Sequence, residues 1–480
     1  MKRLAILSLA IALGLSTATF STAAVKAGQS CSKLGATNVV GSKKFTCVRV
    51  SKKLVWSTGV SLSKPTPVPT PNATTSSPTA SQAYSVVSKI DAVELCKITD
   101  QRVTKLQPNN VGFPMTQGEI PYLGKVKVAV IPVDFPDATG VGSPRDKVDP
   151  LLAKMNQWAS QFSNGKMTFD FQTSDSWIRS PKPSAELAFP KAQIGVNDPT
   201  TAQQNEYSQA FINASGDKFN FTGVSAIIYY FPATVQGIEY DFGQRNQLMQ
   251  TKQGAINVMY WGGGRYHYSD VGRVNGATKQ SLFWAFWIHE ILHSQGFPLH
   301  APGNGFTTSL ATDQYGESGA IDSWSTFKAG WLNDEQVVCA DKSTLKDSFV
   351  QLTPLDKNGL GIKSAIIKLS NHEVLIVESR KPIDWSSSWP KDASGLMVYK
   401  VDTTKDNDRT GESSGDTGNE ERYSKWGYYL TPDGAKLDTN QSRDFKNYLV
   451  KEGRTVTYSN VRITLVKSEE TDIVQIQKAS

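Results

Sequence analysis

Histidine is scarce in this chain, with five in 480 residues, yet three of the five fall within residues 287–300, "WIHEILHSQGFPLH". Other absences narrow the possibilities first. No apolar run approaches the ~20 residues that a membrane-crossing helix requires, so the chain is expected not to span a membrane. No Cys-x-x-Cys pair occurs among the four cysteines, which removes the common redox and structural zinc spacings. No repeat of the solenoid type is present. No acidic residue precedes residue 65, whereas ten lysines and arginines do, so the net charge of +7 belongs to the N-terminal stretch and the remainder carries −3. That basic stretch lacks the interleaved stacking aromatics of a nucleic-acid surface, and no nucleic-acid partner is expected.

What is present begins with "MKRLAILSLAIALGLSTATFSTAA". Two positive charges, a short apolar run and small residues form the pattern of a cleaved secretory signal, assigned to residues 1–27. An exported chain can keep disulfides. Cys31 and Cys47 share one short segment while Cys96 and Cys339 flank a long one, so of the three connectivities Cys31–Cys47 with Cys96–Cys339 is favoured. Residues 28–60 then read as a small basic disulfide module that could touch an anionic cell wall or surface. Residues 61–85, rich in Pro, Thr and Ser, read as a stiff linker.

The main body starts after the linker. "KVKVAVIPVDF" (125–135) reads as a buried strand, residues 145–162 carry apolar positions at helical spacing, and "MTFDFQT", "VSAIIYYFP" and "AINVMYW" read as further strands. Residues 279–295, "KQSLFWAFWIHEILHSQ", form a long apolar stretch without Gly or Pro and predict a buried helix. After Cys339 the text becomes short strand-like runs between turn residues. The expected class is α+β, with a catalytic domain at 86–345 and a β-rich region at 346–480.

The predicted helix accounts for the histidine cluster. His289 and His293 are four residues apart, so both rings project from one helix face, within reach of one ion. Glu290 lies between them. In a His-Glu-x-x-His arrangement the imidazoles hold zinc and the glutamate takes a proton from water. Gly296 is placed to end the helix in a left-handed turn and release the chain toward a third ligand. His300 is the first choice. Asp313, Glu317 and Asp322 are carboxylate alternatives, since a His₂-carboxylate set is chemically as sound.

"HEILHSQGFP" resembles the signature of the immune inhibitor A family of secreted bacterial metalloproteases, with Phe297 in place of a leucine. "AVIPVDFPD", "WSTFKAGWLNDEQV" (324–337) and "EVLIVESRKPIDWSSSWPKDASGLMVYKVD" are similar to further parts of that family, so the resemblance spans residues 125–402. It implies a zincin-like fold and a zinc endopeptidase in which His289 and His293 are ligands and Glu290 is the base. The chain departs from the family after the glycine, reading "PLHAPGNG". A non-catalytic wall-associated or adhesive protein on the same fold is the competing class. The acidic, Gly-rich stretch 402–422 offers Asp402, Asp406, Asp408 and Asp416 as calcium-type oxygen ligands, although it lacks the EF-hand pattern. His267 and His372 are read as ordinary residues, with Tyr266 or Tyr268 as neighbours that could reach the cleft.

Overall fold

The computed structural model describes residues 26–33, 36–40, 43–50, 53–58, 60–61, 84–103, 105, 109–187, 201–235, 237–238, 241–263, 283–297, 321–387, 389–406, 426–437, 441 and 444–479. Residues 1–25 of the segment expected to be a signal (1–27) and most of the expected linker lie outside them. Contacts divide the chain into two units, 1–82 and 83–480.

The first unit is a small antiparallel sheet of β1 (Thr37–Val40), β2 (Lys43–Val50), β3 (Lys53–Trp56) and β4 (Val60–Ser61), in which β2 pairs with all three others. So short a chain buries little apolar surface, and the Cys31–Cys47 disulfide supplies the missing constraint. Phe45 and Cys47 are buried, while Lys33, Lys43, Arg49 and Lys53 are exposed.

The second unit is mixed α/β. Its first sheet holds β5 (Gly124–Asp134), β6 (Met167–Thr173), β7 (Ile178–Arg179), β8 (Ala226–Tyr230), β9 (Asp241–Thr251) and β10 (Gly254–Gly263). The order is β6-β5-β8-β10-β9, with β7 also pairing with β5. All pairs are parallel except that of β9 with β10, so β9 forms an antiparallel edge. The continuous apolar run of β5 follows from this position, because an inner strand of a parallel sheet is covered on both faces. The covering helices are α1 (Arg145–Phe162), α2 (Thr201–Ser215) and α3 (Phe283–Gln295). Helices α1 and α3 pack on each other, and α2 packs on β9. Helix α2 and strand β9 carry no strong periodicity, and the sequence reading passes over both. Strand β9, "DFGQRNQLMQT", buries only Phe242 and Met249 on its inward side, so its sequence is mostly polar.

A short helix α4 (Ser323–Lys328) leads into the rest. Strands β11 (Val337–Asp341), β13 (Ser364–Lys368), β14 (Glu373–Arg380), β15 (Gly395–Asp402) and β16 (Gly427–Tyr429) make one sheet in that order. Strands β12 (Ser348–Leu352), β17 (Thr455–Tyr458), β18 (Val461–Ser468) and β19 (Asp472–Lys478) make another, ordered β12-β19-β18-β17. Val338, Ala365, Leu375 and Val398 of one sheet meet Val350, Ile463 and Val474 of the other in a shared core. Alternation sends Cys339, Ile376 and Tyr399 to the opposite face, where Trp324, Phe327 and Val111 cover them. Strand β11, which precedes residue 345, therefore belongs to the same sheet as strands that follow it. Cys96 and Cys339 are bonded, as their positions suggested, and the bond ties the beginning of this unit to β11.

Candidate functional site

Helix α3 forms because "FWAFWIHEILHSQ" has no breaker and apolar side chains on nearly every face. Phe286 and Glu290 are half-buried and every other residue of the helix is buried, so the helix runs through the core rather than over it. Trp284 packs on Trp385 and under the Lys154 ammonium, and Trp287 packs on Phe283 and Tyr230. These contacts fix the rotation of the helix and therefore the direction of its histidines.

His289 and His293 are both buried, with rings edge to face at 84° and centroids 4.5 Å apart. Their Nε2 atoms approach to 3.0 Å. At that distance one Nε2–H donates to the other ring's Nε2, and with both rings carrying their proton on Nδ1 the same two nitrogens would be free for one ion. Glu290, the one acidic residue of the helix, follows His289 in the chain and is half-buried.

The C-terminal end of α3 is held from outside. Gly296 takes φ 100°, and the Phe297 N–H returns to the Leu292 carbonyl, so the helix stops where the sequence predicts. The last carbonyls need partners that the helix cannot supply. Ile120 N–H donates to the Ser294 carbonyl at 3.0 Å and Gly118 N–H to that of Gln295 at 3.3 Å. Gln295 Nε2 donates to the Pro121 carbonyl, and Arg245 of the edge strand β9 donates through Nη1 to the His293 carbonyl at 3.3 Å. A strap at 109–121 and the edge strand thus both fix the last turn of the histidine helix. Neither Arg245 nor the strap was legible in sequence, since their partners are backbone atoms distant in the chain.

The strap approaches so closely that a Cβ on Gly118 would stand 2.1 Å from the Ser294 carbonyl oxygen. Gly118→Ala is therefore expected to lower stability by about 1–3 kcal/mol through overpacking, read as a lower urea midpoint with an unchanged slope. An unaltered midpoint would mean that the strap can move off the helix without loss.

Of the proposed third ligands, His300, Asp313 and Glu317 lie outside the described residues, as do His267, Tyr266 and Tyr268. Asp322 is described and fully buried. It caps α4, accepting the Ser325 N–H on Oδ1 at 2.7 Å. Burial, reinforced by the nearby charge of Glu378, pushes its carboxyl up to about 7. Glu378 accepts the Ser323 N–H at 2.8 Å and pairs with Arg380. In the acidic stretch, Asp402 accepts both the N–H and the hydroxyl of Thr404, and Asp406 pairs with the buried Arg102 at 2.7 Å. Asp408 and Asp416 lie outside the described residues. His372 is exposed in a turn before β14. Among the described residues no group of three or more His, Cys, Asp or Glu is placed to hold a metal ion, and no helix is long and apolar enough to cross a membrane.

Comparison with known proteins finds no matching family model and no significant match to a curated protein or a solved structure.

Proposed function

We propose that the chain is a secreted zinc-dependent endopeptidase. The observation that carries this reading is the 3.0 Å approach of His289 Nε2 to His293 Nε2, on a helix whose one acidic residue, Glu290, follows His289 in the chain. Two Zn–N bonds of ~2.0–2.1 Å at a tetrahedral angle separate their nitrogens by about 3.3 Å, so the pair needs to open by only a few tenths of an ångström to fit that ion. Zinc would supply Lewis-acid polarisation of a peptide carbonyl and of water. His289 and His293 would hold it, with a third ligand from His300, Asp313 or Glu317; Asp322, the buried cap of α4, is not grouped with the two histidines. Glu290 would accept the proton of the attacking water and return it to the leaving amine. Strand β9, the last of its sheet, is tied to α3 through Arg245, and Gln204 and Gln209 of α2 occupy backbone groups of Gly243 and Gln250 along it. The exposed Lys33, Lys43, Arg49 and Lys53 of the N-terminal module suit contact with an anionic wall or surface. Calcium is not part of this reading.

Metal analysis of the purified full-length protein tests it. About one zinc per chain is expected in the wild type, and markedly less in His289→Ala and His293→Ala at unchanged circular dichroism. A folded wild type that takes up no zinc would overturn the proposal.

A further inference from the structure

A cavity of about 350 Å³, with neither histidine in its lining, lies where β5 and β8 end. The carboxyl ends of parallel strands are where such sheets commonly receive ligands. Its walls are Leu151 of α1, Trp177, Tyr230 and Phe283, with Val141 and Lys147 on the rim. Trp177 stacks on Tyr230 at 5.9 Å, and Phe283 meets Tyr230 edge-on at 6.2 Å. Burial pushes the Tyr230 hydroxyl up to about 12, so this wall stays uncharged at neutral pH.

The rim is built and held. The loop that follows β5 is held by Asp134, the last residue of that strand, which accepts the Gly140 N–H and two bonds from Arg179. Asp137 accepts the Ser184 N–H and hydroxyl and the Ala185 N–H. Gly140 lies against Trp177 so closely that a Cβ would stand 2.2 Å from the ring, and Trp177 Nε1 donates to the Gly142 carbonyl. A loop fixed by this many bonds nevertheless holds Val141 81% exposed at the mouth of an aromatic cavity. Beside Leu151, Trp177, Tyr230 and Phe283, that side chain adds apolar surface to the mouth of a concave aromatic site.

The cavity shares α3 with the histidine pair. Phe283 precedes His289 by six residues, about 9 Å of axial rise, and projects about 120° round the helix from it. An extended polypeptide advances about 3.3 Å per residue. We infer that this cavity is a specificity pocket for a large apolar or aromatic side chain of the polypeptide substrate, about three or more residues from the scissile bond. The inference rests on the peptidase reading for its substrate. Among the cavity's described lining residues Lys147 alone is charged, and at the rim it favours an acidic residue next to the apolar one.

The test uses the full-length protein and dodecapeptides in which a single Phe is moved along an alanine-rich frame on both sides of the cleaved bond. Val141→Asp places a charge at the mouth and Ala233→Trp occludes it, both at exposed positions. The wild type is expected to prefer Phe over Ala at one distal position by about tenfold or more, chiefly in KM. Both variants should lose that preference while cleaving the Ala peptide at the wild-type rate. A wild type without distal preference, or a preference that survives both variants, overturns the pocket. Fluorescence anisotropy of labelled peptides is measured in parallel, because it needs no turnover. If no peptide is cleaved, Phe-dependent binding that both variants abolish still supports the pocket while the peptidase reading fails, and binding indifferent to Phe or to the variants overturns it.

Discussion

Glu290→Gln is expected to reduce peptide hydrolysis by about 10²–10⁴-fold, the usual contribution of a placed proton-transfer group, while zinc content and unfolding temperature stay at wild-type values. The substitution keeps the size and hydrogen-bonding reach of a half-buried side chain and removes only its ability to accept a proton. It leaves His289 and His293 untouched, and their direction is set by the packing of Trp284 and Trp287 rather than by Glu290. Steady-state kinetics alongside metal analysis separates the cases. Retained activity would remove Glu290 from the base role. A zinc-loaded wild type that hydrolyses no peptide would favour a non-catalytic binding protein.

Removing the Cys96–Cys339 bond is expected to be the most costly change to the framework. The bond closes a loop with a sequence separation of 243, and in the chain-entropy model such a constraint is worth about 5 kcal/mol. Both cysteines are fully buried beside Trp324 and Ile366, so a Cys96→Ala/Cys339→Ala pair avoids leaving polar groups in that core. Urea unfolding under non-reducing conditions is the measurement, with Cys31–Cys47 left intact as the background. A loss below about 1 kcal/mol would show that the open chain already keeps these segments together. The same bond anchors the segment that continues into the strap on α3, so the double variant should also lower the thermal stability of the histidine helix.

Parts of this architecture were plain in the residues. Helix α1 could be placed at 145–162 because Val148, Leu152, Met155 and Trp158 repeat at helical spacing and are indeed buried. Strand β6 matched "MTFDFQT" because one face alternates inward. Strand β11, "VVCAD", is brief, and its parallel partner β13 begins 27 residues after it starts, so nothing local announces the pairing. Strand β16 is only three residues long and gains its place from β15. Helix α2 has a weak apolar stripe and is stabilised by packing on β9, an element that is itself unmarked.

The sequence by itself favoured the disulfide pairing that the structure shows, and determined the basic N-terminal stretch and a breaker-free apolar segment with two histidines four residues apart and Gly296 at its end. Each depends on covalent spacing or on helical geometry, which operate within a few residues. Tertiary structure alone decided that the two Nε2 atoms converge, that β9 forms the sheet edge beside α3, and that Gly118, Ile120 and Arg245 hold the last turn. It also assembled the cavity from α1, α3 and the ends of β5 and β8. Those outcomes depend on the angle at which packed elements meet, and that angle is set by side-chain contacts between segments far apart in the chain, which no local pattern encodes.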